Sequence, residues 1–352
     1  MTDGPRIRTV LGDISPEVVG DTDYHEHLFQ VSRMLPGDEL ADVERSREEA
    51  ARFLRAGVTL MVEATPAGLG ARPGDVAEIS RSTGLHVVHV TGLHHGGHYP
   101  DDHPLRQESE AALAKRFVED ITVGFRRGEK PAVRAGMLKA GIRYWSIGSF
   151  ERRALAAVAH AHRETRAPVM IHLDHGSAAF EVLEVLGDAD VEPRHIVLAH
   201  MDRNLDPGLH RELIATGARL GYDGWARHRD APDSAIIDCL VAVAEAGGSG
   251  GVVLGGDVAR ASRYVAYGGM PGLDYVQRRV VPRLRERLDS DALRRVRRDN
   301  LVDLLAFVDE VAIPAVPAST STPGMQTIVA ISDNGVSRFL PSMNPSAIRP
   351  GR

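Results

Sequence analysis

Short apolar runs alternate along this chain with longer amphipathic stretches. Val58-Thr-Leu-Met-Val-Glu63, His86-Val-Val-His-Val-Thr91, Pro168-Val-Met-Ile-His172, Ile196-Val-Leu-Ala-His200 and Gly251-Val-Val-Leu-Gly-Gly-Asp257 are such runs. Runs of this length, rich in β-branched residues and bounded by turn formers, fit strands buried on both faces of a parallel sheet. Three weaker segments join them: the one carrying His25 and His27, residues 132–139, and residues 218–221. Between the runs lie helical patterns over 42–56, 75–83, 107–124, 150–166, 178–186 and 234–246, and another from Asp206-Pro207 to Gly217. Gly57, Gly84 and Gly217 are helix stops, and Ser149 is placed as a cap. Ser15-Pro16-Glu17 reads as a helix or turn start, and 273–307 as the closing helices.

Strand–helix alternation implies a parallel sheet. Eight such units over about 300 residues match a (β/α)8 TIM barrel. A doubly wound open sheet would alternate too, but no Gly-x-Gly-x-x-Gly or Walker loop follows the first strand. From Pro314 the composition turns linker-like, with an Asn334-Gly335 hairpin signal and a Pro- and Ser-rich end. The expected division is therefore a barrel over 1–313 and a partly disordered C-terminal extension over 314–352.

Composition narrows the function classes. The 352 residues are 43% hydrophobic and 26% charged, ordinary for a globular protein. Net charge is −6 and no basic stripe is present, so neither nucleic acid nor a membrane surface is the expected partner. One cysteine, Cys239, excludes an intrachain disulfide and a Cys-based zinc site, and reads as a small core residue. The N-terminus has no apolar signal core, and no run approaches the about 18 apolar residues of a membrane span. A cytoplasmic setting is the default.

The sixteen histidines are more than packing asks for. In Tyr24-His-Glu-His27, two histidines stand two apart, which puts both imidazoles on one face of a strand. Alone they read as well as a solvated strand face. Lys139, His172, His200 and Asp257 fall at the ends of later predicted strands. Singly, each has a plain alternative: a terminal lysine, satisfied core histidines, a helix-capping aspartate. Together they meet at the mouth of a barrel, where catalytic groups gather.

These stretches resemble the phosphotriesterase family of the amidohydrolase superfamily. The likeness runs from about Thr9 to Phe307, through Thr9-Val-Leu-Gly-Asp-Ile-Ser-Pro-Glu, Tyr24-His-Glu-His27, Thr91-Gly92, Ala135-Gly-Met-Leu-Lys139, His195-Ile-Val-Leu-Ala-His200-Met-Asp202 and Gly255-Gly-Asp257. The resemblance implies two divalent metal ions, zinc by preference, with manganese, cobalt or iron compatible with the same donors. His25, His27 and Asp257 would hold one ion and His172 and His200 the other. Lys139, carboxylated by CO2, would bridge them as a carbamate, which brings two anionic oxygens where an ammonium would repel both cations. A metal-bridging hydroxide would attack a carbonyl or phosphoryl centre, with Asp257 carrying the proton. A homodimer is implied as well.

Substrate choice lies in the loops. His94-His-Gly-Gly-His98-Tyr99, after the third strand, reads as a polar lid rather than an extra metal site. The later loops offer Arg227, Arg229, Arg260, Arg263 and Tyr264, an arginine set suited to a carboxylate or phosphate. With Tyr99, these are the expected substrate contacts. The segment 260–272 resembles family members acting on phosphorylated sugar lactones, and 5% aromatic content speaks against a pocket for bulky neutral triesters. The expected activity is hydrolysis of a lactone or carboxylic ester with an anionic group. Phosphotriester and amide hydrolysis are the alternatives, and a barrel that only binds a ligand is the other class.

Overall fold

The short apolar runs become the staves of one sheet. The computed structural model describes residues 4–125, 132–227 and 231–307. A hairpin of β1 (Arg6–Thr9) and β2 (Gly12–Ile14) opens the chain. Eight strands follow: β3 (Asp21–Glu26), β4 (Val58–Glu63), β5 (His86–Gly92), β6 (Met137–Ile142), β7 (Val169–Leu173), β8 (Ile196–Ala199), β9 (Arg219–Tyr222) and β10 (Val252–Leu254). They pair in sequence order, every pairing parallel. Helices cover the outside, and the eight strands form a nearly closed (β/α)8 barrel. First and last strands are joined where the N–H of Asp257, beyond β10, donates to the carbonyl of His25, within β3, at 2.9 Å.

Alternation along each strand sorts the core into two layers. Met137, Met170 and Val197 pack in an inner cluster with Tyr24, Leu60, Val62, Val88 and Val253. Their neighbours Leu138, Ile171 and Leu198 pack outward with helix residues such as Leu155, Val158 and Leu213. The same parity puts Lys139 and His172, two residues on from Met137 and Met170, on the inside. Local chemistry sets the helix ends. Asp42 caps the helix Val43–Arg55 by accepting the Arg45 N–H, and Gly57 follows at φ +106°. Asp206 accepts two backbone N–H groups at the start of Pro207–Ala215.

Several expectations shift. The fourth barrel strand is Met137–Ile142 rather than 132–139, so Lys139 sits inside the strand and not at its end. Ser149 is the first residue of its helix and Gly148 occupies the cap. The helices expected over 273–307 end early: Ala306–Phe307 is a strand, β11, paired with β1. This three-stranded sheet, β11-β1-β2, was not visible in the apolar pattern because its strands are only two to four residues long. Its Ile7 packs with Leu301, Leu304 and Leu305 in the inner cluster. The chain separates into Met1–Asp309 and Glu310–Arg352. The extension 314–352 and its hairpin lie outside the described residues. Among the described residues, no helix is long and apolar enough to cross a membrane.

Candidate metal centre

At the C-terminal mouth of the barrel, β3 delivers His25 from within the strand and His27 from just beyond it. β6 delivers Lys139, β7 His172, and the residues following β8 and β10 deliver His200 and Asp257. His200 and Asp257 take positive φ, +66° and +43°, conformations that non-glycine residues adopt rarely and that cluster at functional sites. All six are buried. They line one cavity of about 150 Å³.

The ring nitrogens divide into two sets. His200 Nδ1 donates to Asp223 Oδ1 at 2.7 Å, and His25 Nδ1 donates to Asp223 Oδ2 at 3.2 Å. His27 Nδ1 donates to Thr65 Oγ1 at 2.7 Å, whose own proton goes to the Phe29 carbonyl. His172 Nε2 donates to Asp174 Oδ1 at 2.8 Å. With one nitrogen of each ring protonated against an acceptor, the other is a bare lone pair. Those lone pairs face inward. His172 Nδ1 and His200 Nε2 stand 2.7 Å apart with no proton to share between neutral rings, a repulsive contact that a cation between them would relieve. His25 Nε2 and His27 Nε2 lie 3.7 and 3.5 Å from Asp257 Oδ1. One donor atom each from His25, His27 and Asp257 falls within a 4.8 Å span. The donor set fits metal ions. His25, His200 and Asp223 are as close together, but Asp223 sits on the protonated side of both rings and orients them instead.

Electrostatics agree with neutral ligands. Burial pushes His27 down to about 3 and His200 down to about 4. Burial also lowers Lys139 to about 8. Its Nζ donates to the Ala64 carbonyl at 2.7 Å and lies 3.4 Å from His25 Nε2. For Asp257, burial acts upward but the Arg227 guanidinium and the histidines override it and hold the carboxyl well below its usual range. Arg203 and Arg227 both donate to Asp257 Oδ2, at 2.8 and 2.6 Å, leaving Oδ1 on the side of His25 and His27.

Of the expected substrate contacts, Arg227 and Arg260 line the cavity. Arg263 donates to the Trp225 carbonyl at 3.0 Å instead. Tyr99 and Tyr264 do not face the cavity: both are buried, the Tyr99 hydroxyl donating to the Ala67 carbonyl at 3.0 Å and the Tyr264 hydroxyl to the His27 carbonyl. Tyr264 thus braces a candidate ligand from behind. Arg229 lies outside the described residues. Asp223 and Arg203 were missed in the sequence, although Asp223 follows β9 directly and the rule that selected His200 and Asp257 applies to it equally.

The model of the phosphotriesterase family matches residues 5–303. A phospho-furanose lactonase of Mycoplasmopsis agalactiae is 28% identical over 248 residues, covering 66% of this chain and 70% of the relative. An N-acetyltaurine hydrolase of Tetraodon nigroviridis is 26% identical over 348 residues, covering 86% of this chain and 98% of the relative. Among solved structures, a lactonase from Listeria monocytogenes superposes with a TM-score of 0.80 at 30% identity, over 87% of this chain and 100% of that one.

Proposed function

The chain belongs to the phosphotriesterase family and is a hydrolase; from that premise we propose that it holds two divalent metal ions and opens a lactone or carboxylic ester bearing an anionic group. One observation carries the metal part: four buried histidines each present a bare nitrogen to one cavity, two of them 2.7 Å apart. In this reading His25, His27 and Asp257 would hold one ion, His172 and His200 the other, and Lys139 would serve both. The chemistry such ions would supply is a hydroxide at neutral pH and polarisation of the scissile carbonyl.

The protein's own groups do the rest. Lys139, lowered to about 8 by burial, has an accessible neutral amine. Its nitrogen lone pair bonds to the carbon of CO2, one C=O π bond opens onto oxygen and one proton leaves to solvent, giving a carbamate whose single negative charge is shared by two oxygens. In the same reading Asp257 relays the proton released on attack to the leaving oxygen, while Arg203 and Arg227 keep its Oδ2 fixed. Arg227 and the exposed Arg260 offer forked donors at the cavity for a carboxylate or phosphate on the substrate. The lactonase relatives support this substrate class. Zinc as the metal, a cytoplasmic setting and a homodimer belong to the same proposal.

A second reading, amide hydrolysis at the same site, is favoured by the N-acetyltaurine hydrolase relatives, whose substrate also carries an anion. Metal content and turnover of wild type and Lys139→Ala test the proposal. The panel is γ- and δ-lactones with and without a phosphate, an aryl ester, N-acetyltaurine and an aryl phosphotriester. Two metals per chain with turnover of anionic lactones, both lost in Lys139→Ala, are expected. Full occupancy and activity in the variant would remove the bridge. Equal rates on neutral and anionic lactones would remove the anion.

A further inference from the structure

The loop His94-His-Gly-Gly-His98 after β5 brings three more histidines beside the centre. One ring nitrogen from each of His94, His95 and His98 falls within 4.8 Å of the others, the dimensions of a further metal site. The His94 ring lies tilted against His98, with centroids 3.8 Å apart, and against His172 at 4.2 Å. His94 and His98 line the same cavity as Lys139, His172 and Asp257.

The hydrogen bonds of His94 and His95 run opposite to those of the candidate ligands. His94 Nδ1 accepts the His95 backbone N–H at 2.8 Å. His95 Nδ1 accepts the Gly97 backbone N–H at 3.1 Å. A backbone N–H can only donate, so each Nδ1 is the bare nitrogen and each ring, when neutral, carries its proton on Nε2. His95 Nε2 accordingly lies 3.8 Å from the Asp174 carboxylate, on the side of an acceptor. A metal at Nε2 of these two rings would meet a proton, and moving that proton to Nδ1 would set N–H against N–H in the loop. The four candidate ligands show lone pairs to the cavity; His94 shows a donor.

Resting on the lactone or ester reading above, we propose that His94 is a catalytic residue whose neutral Nε2–H donates to the acyl oxygen of the substrate, and that this loop is not a third metal site. The position suits the role. His94 lies against His172, whereas Asp257 is held by Arg203 and Arg227 and lies near His25 and His27. Attack on a carbonyl builds negative charge on its oxygen. A neutral imidazole N–H stabilises that charge and is far too weak an acid to give its proton to the nucleophile.

The test uses the metal-loaded full chain labelled with 15N-histidine, with His94→Gln for assignment. A protonated Nε2 and a bare Nδ1 on His94 are expected. With the best ester or lactone of the panel, His94→Leu should lower kcat/KM by about 100-fold, the loss typical of one oxyanion donor, with two metals retained. His94→Gln, which keeps an N–H at similar reach, should recover most of that loss. A bare Nε2 on His94, or a third metal equivalent in wild type that His94→Leu loses, would make it a ligand and overturn the proposal. So would unchanged kcat/KM in His94→Leu. A wild type with no metal or no acyl hydrolysis would instead overturn the function on which the proposal rests, while the tautomer measurement still decides the metal-versus-donor question.

Discussion

Replacing Asp223 by asparagine tests how the candidate ligands are held. The carboxylate is fully buried. Its Oδ1 accepts from His200 Nδ1, and its Oδ2 accepts from His25 Nδ1 and from the Tyr24 hydroxyl. Asparagine keeps one oxygen and turns the other into a donor. Two donors converge on Oδ2 and one on Oδ1, so the amide oxygen should take the Oδ2 side and set its NH2 against His200 Nδ1. That ring must then expose a bare Nδ1 to the amide and carry its proton on Nε2, the nitrogen that faces His172 Nδ1 at 2.7 Å. The ion held by His172 and His200 should weaken by about 10–100-fold, the usual effect of losing a carboxylate partner behind a metal-bound histidine. In free energy that is about 1.4–2.8 kcal/mol. The ion held by His25, His27 and Asp257 should change little. Stepwise chelator titration with metal analysis resolves the two equivalents. Both ions keeping their affinity within about twofold, against the tenfold minimum expected for a lost outer partner, would refute the reasoning. Melting of the metal-free variant is the control: a drop there as large as in the loaded protein would make Asp223 a folding residue instead.

Two further outcomes follow from the same geometry. Because burial sets the Lys139 ammonium at about 8 rather than its ordinary 10.5, the neutral amine grows as pH rises through about 8; metal uptake by metal-free protein at a fixed concentration of dissolved CO2 should therefore accelerate from pH about 7 to about 9 and then level, and a rate flat across that interval would remove CO2 capture as the controlling step. A methyl group at Gly221 would overlap the Tyr24 phenol, whereas one at Gly187 meets nothing within 4 Å; urea unfolding should show Gly221→Ala destabilised by about 1–3 kcal/mol and Gly187→Ala near wild type.

The barrel was legible because its information is local. A strand buried on both faces must be apolar along its length, and Val58–Glu63 and Ile196–Ala199 are buried at almost every position. Helix ends were legible where a side chain does the capping, as at Asp42 and Asp206. The sheet β11-β1-β2 was not, because strands of two to four residues carry no period, and Ile7 meets Phe307's neighbour Ala306 only across the whole chain. Lys139 was found for an imperfect reason. It is not at a strand end; it faces inward because it stands two residues from Met137 on the inner parity.

The site was legible as a set of residue types and not as a set of roles. Sixteen histidines are alike in a sequence. What separates His172 and His200 from His94 and His95 is the partner of the nitrogen that points away from the cavity. Asp174 and Asp223 accept from the first pair and leave lone pairs inside. The loop's own backbone N–H groups donate to the second pair and leave protons on Nε2. That difference is set by two carboxylates from separate strand ends and by the backbone amides of His95 and Gly97. The loop is local, yet its effect depends on which ring nitrogen the backbone reaches, and a spacing of His-His-Gly-Gly-His does not state it. The arginines show the same gap. Arg227 and Arg263 look equivalent in the chain, but one reaches the Asp257 carboxylate and the other a backbone carbonyl at Trp225. Charge pattern alone therefore overcounts the groups free to meet an anion, and of the candidate arginines among the described residues, Arg227, Arg260 and Arg263, it is Arg260, exposed at the cavity, that has most freedom to recognise a substrate.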